Sequence, residues 1–335
     1  MHMADALISP LVGGVMTAAS VGTLGYSLKK AGTDINQSKI PLMAVTGALV
    51  FSAQMINFTI PATGSSGHIG GGLLLASLLG PFEGFITIAV VLLIQALFFA
   101  DGGLLAYGCN LFNMGFYSCF IAYPFIFKAI VKKGADKKRI VLASVLASVV
   151  GLQLGAFSVV LETLFSGKTE LPFSSFVLLM QPIHLAIGAV EGVITAAVLI
   201  YINQYKPELL NFNNNANATA NGKRVIASLA VLALLCGGLF SLFASSYPDG
   251  LEWSIQGITG STELEEADTG IHSSAAAVQQ KTSFMPDYTF ANAESETAQA
   301  AGTSAAGIIG SGATFVLVAT IGGLVYYIKS RKSVK

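Results

Sequence analysis

Long apolar runs separated by short polar stretches dominate the chain, and their lengths predict helices that cross a membrane. The first run covers about Pro10 to Leu28 and stops at Lys29-Lys30; the second covers about Ile40 to Phe58. A glycine-rich loop follows, Pro61-Ala-Thr-Gly-Ser-Ser-Gly-His68-Ile-Gly-Gly-Gly72. Between Leu73 and Phe99 the apolar run is broken by Gly80-Pro81-Phe82-Glu83, so each half is short for a full crossing. The pattern there allows two short spans or a re-entrant hairpin. A turn at Ala100-Asp101-Gly102-Gly103 leads into a span ending near Val131, and further spans lie at about Ile140 to Leu164 and Phe173 to Ile202. An Asn-rich tract at 203–222 reads as a linker. Beyond it come a span at about Val225 to Phe243, a long polar segment, and a last span at about Gly307 to Ile328.

Charge orients these spans. Placing Lys29-Lys30 in the cytoplasm puts the basic loop Lys132 to Arg139, the stretch Lys206 to Arg224 and the tail Lys329 to Lys335 there as well. Sixteen of the 18 Lys and Arg residues then lie inside, with only Lys168 and Lys281 outside, as the positive-inside rule asks. The N-terminus is therefore expected outside, the C-terminus in the cytoplasm, and Met1, the His68 loop and the Asp101 turn on one external face. Residues 247–304, which hold nine Asp and Glu against one Lys, read as a mobile or lightly folded acidic external segment.

Composition agrees with a polytopic membrane protein. Of 335 residues, 53% are hydrophobic and only 11% charged, with mean hydropathy +0.68; soluble chains carry about 25% charge. Cys109, Cys119 and Cys236 all sit in apolar stretches and form no paired metal motif. No apolar core precedes a cleavage site near the start, so no signal peptide is expected.

Candidate chemistry concentrates at the first residues. A free α-amine followed directly by His2 can close two fused chelate rings, through the amine, the deprotonated His2 amide and imidazole Nδ1. Histidine at position two is too bulky for methionine trimming, so Met1 is expected to persist. Three nitrogens in a plane call for a fourth, and a planar nitrogen set suits Ni(II) or Cu(II). His68, flanked by glycines on the same face, is the natural fourth ligand. His184 and Glu191, seven residues apart, share a helix face inside an apolar span; they read either as functional groups or as a structural hydrogen-bonded pair. Asp101, Asn110 and Asn113 are candidates to hydrogen-bond the ligand histidines. His272 reads as solvated surface. Gly167-Lys168-Thr169 resembles the end of a phosphate loop, but that motif needs Gly where Glu162 stands. Nothing in the motifs points to an enzyme.

Taken together, Met1-His2, the His68 loop, Ala100-Asp-Gly-Gly-Leu-Leu-Ala-Tyr-Gly-Cys-Asn-Leu-Phe-Asn-Met-Gly115 and His184-Leu-Ala-Ile-Gly-Ala-Val-Glu-Gly192 resemble the NikM/CbiM subunits of energy-coupling factor transporters for nickel and cobalt. The resemblance covers about 1–202. Residues 223–335, with Tyr247-Pro-Asp-Gly-Leu-Glu-Trp253, resemble the NikN/CbiN small subunit, here fused. It implies an all-α fold: a seven-helix substrate-binding bundle plus two further transmembrane helices. It further implies a metal site of Met1, His2 and His68, Ni(II) as transported substrate with Co(II) as the alternative, and partners in a NikQ/CbiQ-like transmembrane scaffold and NikO/CbiO-like cytoplasmic ATPases in a prokaryotic cell membrane. Many relatives begin Met-His-Ile-Pro-Asp-Gly, whereas Met3-Ala4-Asp5-Ala6 stands here, which leaves the path of the first residues open. Two rivals stay open beside this reading: a self-sufficient secondary transporter or channel using Glu83, Glu162, Glu191 and His184, and a membrane assembly protein with no metal site.

Overall fold

A computed structural model describes residues 1–34, 37, 39–210, 222–262, 264, 270–291, 293 and 295–332. Seven helices precede Lys206: α1 (Pro10–Asp34), α2 (Lys39–Gln54), α3 (Gly72–Leu79), α4 (Pro81–Phe98), α5 (Tyr107–Val131), α6 (Lys137–Ser166) and α7 (Phe173–Tyr205). Among the described residues four more follow: α8 (Gly222–Gly238), α9 (Gly250–Thr259), α10 (Ile271–Thr282) and α11 (Glu296–Lys332). Among the described residues seven helices are long and apolar enough to cross a membrane, namely α1, α4, α5, α6, α7, α8 and α11; α2 is apolar and slightly shorter.

The broken run resolves into an unequal hairpin. At 8 residues α3 is about 12 Å long and cannot span a bilayer, whereas α4, with 18, can. Gly80 separates them and Pro81 opens α4, where its missing N–H costs nothing. Near this bend Lys39 Nζ donates to Glu83 Oε1 at 2.8 Å and to Leu79 O at 3.3 Å.

Small residues let the long helices approach. On α7, Gly188 and Gly192 face the α6 backbone, and a Cβ at Gly188 would lie 2.9 Å from Val149 Cα. Lipid supplies no hydrophobic drive between helices, so such close van der Waals contact is what holds them. The two long C-terminal helices, α8 and α11, lie against α2 and join the same apolar core.

Two boundaries and one segment differ from the sequence reading. Helix α7 continues through Tyr205, past the expected start of the linker, and 211–221 of that linker lie outside the described residues. Helix α11 starts at Glu296, well before Gly307, because its first turns are rich in alanine, the strongest helix former. The segment expected to be a lightly folded acidic cap forms α9 and α10 and docks on the first half of the chain. Backbone and side-chain hydrogen bonds hold it there: Ser66 N donates to Pro248 O (2.8 Å), Asp287 N to Phe99 O (2.8 Å) and Trp253 Nε1 to Thr63 O (3.0 Å). Aromatic packing of Tyr288 on Phe99, 4.9 Å between ring centroids, adds to them. His272 is buried, not solvated, with Nε2 at 2.9 Å from Ile8 O.

Substituting Gly188 by Leu should push α6 and α7 apart and lower stability by about 1–3 kcal/mol. Gly22, with nothing within 4 Å of a built Cβ, should accept Ala without loss. Thermal unfolding of both variants in detergent checks this; equal melting points would contradict the packing.

Candidate metal centre

The first eight residues run as a plug against the Gly102-Gly103 turn and the start of α5. Met1, Met3, Asp5, Leu7 and Ile8 are buried. Asn110 on α5 clamps the plug at both polar edges of one residue: Met3 N donates to Asn110 Oδ1 (2.7 Å) and Asn110 Nδ2 to Met3 O (3.1 Å). Gly103 N also donates to Met3 O, at 2.9 Å, and Asp5 Oδ1 accepts from Ala106 N at 2.8 Å, just ahead of α5. The path left open by Met3-Ala4-Asp5-Ala6 is thus fixed by Asn110 and Asp5.

The plug delivers His2 to His68. Their rings stack with centroids 5.2 Å apart and planes 24° from parallel. His68 follows a two-stranded hairpin, β1 (Phe58–Ile60) and β2 (Ser65–Gly67). Beyond it Gly70 N and Gly71 N donate to the two carboxylate oxygens of Glu191, at 2.8 and 3.1 Å. Gly71 takes φ +78°, a conformation that an L side chain rarely adopts. His68 Nδ1 lies 3.0 Å from Ile69 O; a carbonyl only accepts, so Nδ1 carries the proton and Nε2 keeps the lone pair.

The fused C-terminal half closes the pocket. Asp249 caps α9, its Oδ1 accepting from Leu251 N (2.7 Å) and Glu252 N (2.9 Å). Its other oxygen, Oδ2, accepts from the Met1 amine at 2.7 Å. The cavity beside this ion pair is lined by Met1, His68, Met114, His184, Asp249 and Gly250.

Burial sets the charges here. It pushes the His2 imidazole down to about 3, helped by the nearby amine, and that of His68 down to about 4 for the same reasons. Both are neutral near pH 7 and carry lone pairs, the form that binds metal. Burial alone would raise the Asp249 carboxyl; the amine's charge and hydrogen bond, with His68, reverse this and hold it well below the usual carboxylate range. The Asp101 carboxyl is raised, chiefly by burial.

The other expected residues divide. Asp101 lies against His2, with Oδ1 3.3 Å from Nδ1, and its Oδ2 accepts from Tyr288 at 2.5 Å. Asn110 and Asn113 do not hydrogen-bond a histidine. Asn110 is spent on the Met3 backbone, and Asn113 Nδ2 donates to Glu162 Oε2 (2.7 Å). Nor do His184 and Glu191 pair with each other: His184 Nδ1 bonds Met180 O at 2.8 Å, and Glu191 is taken up by the two glycine N–H groups. His184 nevertheless lines the cavity, with Nε2 buried and unpartnered.

Four residues were missed by the sequence reading: Asp249, Tyr288, Gln95 and Gln54. The first lies in a quoted motif without a role attached. The two glutamines were visible as lone amides in apolar runs. Among the described residues no three His, Cys, Asp or Glu side chains converge to hold a cation. A metal here would need backbone nitrogen to complete its donor set, which the Met1 amine and the His2 amide can supply.

Comparison with known proteins matches this architecture. The family model described as the CbiM cobalt uptake substrate-specific transmembrane region matches 2–209, and the PDGLE domain matches 223–327. A putative fused nickel transport protein NikMN of Archaeoglobus fulgidus is 30% identical over 311 residues, covering 93% of this chain and 94% of the relative. The fused nickel transport protein NikMN of Rhodobacter capsulatus is 32% identical over 277 residues, 77% of each chain. A crystal structure of a truncated transition metal transporter superposes with TM-score 0.54 at 33% identity, covering 61% of this chain and 99% of that one. The chain therefore belongs to the CbiM family, continued by a PDGLE domain in the two-part arrangement of the fused NikMN proteins.

Proposed function

We propose that this chain is the substrate-capturing subunit of an energy-coupling factor importer and takes Ni(II), with Co(II) as a weaker cargo, from outside the cell. The ion is held in a plane by the Met1 amine, the His2 amide nitrogen and Nδ1, and His68 Nε2. The observation that carries this reading is the stacking of His2 on His68 beside the buried amine, with both imidazoles neutral. Planar four-nitrogen coordination favours Ni(II) over Co(II) in geometry and in the order of divalent affinities. A scaffold subunit and cytoplasmic ATPases supply the energy.

Charge balance makes the exchange physically reasonable. Before loading, the ammonium of Met1 presents one positive charge to Asp249. After loading, a divalent ion bound to a deprotonated amide also presents a net single positive charge. Asp249 thus faces the same charge in both states, and the buried carboxylate is never left uncompensated. This gives the fused half a role in loading: it supplies the counter-charge of the site.

Two outcomes follow. Ni(II) binding should release at least about two protons per ion, from the amine and the amide, measured by calorimetry in buffers of different ionisation enthalpy. His68→Ala should weaken it sharply; proton release near zero, or unchanged affinity in His68→Ala, would contradict the site. Asp249→Asn should lower Ni(II) affinity by at least about tenfold, because without the carboxylate the metal-free amine can shed its proton and rest neutral, whereas the loaded site keeps its unpaired positive charge. Wild-type affinity and uptake in Asp249→Asn would remove the C-terminal half from the loading step.

A further inference from the structure

Gln54, at the end of α2, and Gln95, on α4, are 3% and 0% exposed in helices that are mostly apolar. Amides so placed are costly unless their hydrogen bonds are met. These two form a relay from a backbone carbonyl to the first imidazole. Gln54 Nε2 donates to Gly70 O at 3.0 Å, Gln95 Nε2 donates to Gln54 Oε1 at 2.9 Å, and Gln95 Oε1 lies 3.2 Å from His2 Nε2.

The direction of this relay is not free. A backbone carbonyl only accepts, so it must meet the NH2 of Gln54, which turns the Gln54 oxygen toward Gln95. Gln95 must then offer its own NH2 to that oxygen, and its oxygen is what remains for His2. An amide oxygen only accepts, so His2 Nε2 must hold a proton. Asp101 faces the opposite edge of the ring, with Oδ1 3.3 Å from Nδ1; a neutral ring has one N–H, and with it on Nε2 the proton of this second contact belongs to the Asp101 carboxyl and Nδ1 keeps its lone pair.

We propose that Gln54 and Gln95 are positioning residues that lock the proton on His2 Nε2 and so reserve Nδ1 as the only nitrogen of this ring open to a metal ion. The assignment rests on His2 being a chelating ligand. Only Nδ1 can close a ring with the amide nitrogen of its own residue; Nε2 points the other way. A His2 with its proton on Nδ1 would have no lone pair for the chelate. Anchoring the relay in Gly70 also ties the tautomer to the His68 loop, since Gly70 N is held by Glu191. The relay that holds His2 is thus anchored two residues beyond His68, on the same loop.

The test uses the full chain in lipid nanodiscs with its four histidines labelled with nitrogen-15. Long-range proton–nitrogen spectra of the metal-free protein, with His2→Ala to assign the signal, should show His2 Nε2 protonated. Gln95→Glu keeps an acceptor against the ring but gives up the NH2 that meets Gln54, and should keep Nε2 protonated with Ni(II) affinity closer to the wild type than that of Gln95→Leu. Gln95→Leu removes the acceptor and should lower affinity about 10–100-fold, with His2 no longer held in one form. Gln54→Leu, one amide further from the ring, should move both readouts in the same direction. Signals of the other three imidazoles report whether the fold is kept. A bare Nε2 in the wild type, wild-type affinity in Gln95→Leu, or Gln95→Glu as weak as Gln95→Leu would overturn the proposal. Full Ni(II) affinity in His2→Ala would instead overturn the chelate reading, while the metal-free spectrum would still report on the relay.

Discussion

A charged amine buried at the start of the chain is the constraint on which the rest of this structure depends. An uncompensated buried charge costs several kcal/mol, so the Met1 amine needs a partner, and Asp249 supplies it from almost 250 positions away. Everything that brings these two groups together serves that pairing. Asn110 and Asp5 fix the plug from the side of α5. The α9 cap fixes Asp249, so a single carboxylate ends a helix with one oxygen and holds the amine with the other.

Beside that pair, against apolar walls from Met114, Leu152 and Ile187, the polar groups of the site are joined by hydrogen bonds. Gly70 joins Glu191 to Gln54, Gln54 joins Gln95, and Gln95 touches His2. In a low-dielectric interior a satisfied network is rigid, and each member orients the next. Rigidity matters for metal capture, because ligands held in place lose little further freedom when the ion arrives. His184 is the exception: its Nε2 borders the cavity without a partner.

Much of this was legible in the sequence, for physical reasons. Spans are set by run length and charge bias, so seven helices followed by two long ones could be read from α1 to α11. His2 and His68 were legible because an N-terminal His chelates by its own covalent geometry, and because both fall on one face once the spans are counted. What was hidden depends on long-range contact. The polar composition of 247–304 suggested little order, yet backbone pairing to the His68 hairpin and the Phe99–Tyr288 stack dock it. Asn110 and Asn113 looked like partners for histidine, but the nearer demand of the Met3 backbone and of Glu162 takes them. Which amide faces which imidazole is decided by helix packing that no local pattern encodes.

The most direct test of the central claim is Ni(II) affinity of the purified protein with its authentic Met1 against a version carrying one extra residue before it. That residue turns the Met1 nitrogen into an ordinary amide and carries the free amine away from Asp249, leaving His2, His68 and the helices unchanged. The account predicts that affinity collapses in the extended protein. Equal affinity in the two would show that the amine is not a ligand and that the ion is held elsewhere, with the cavity edge at His184 the next place to look.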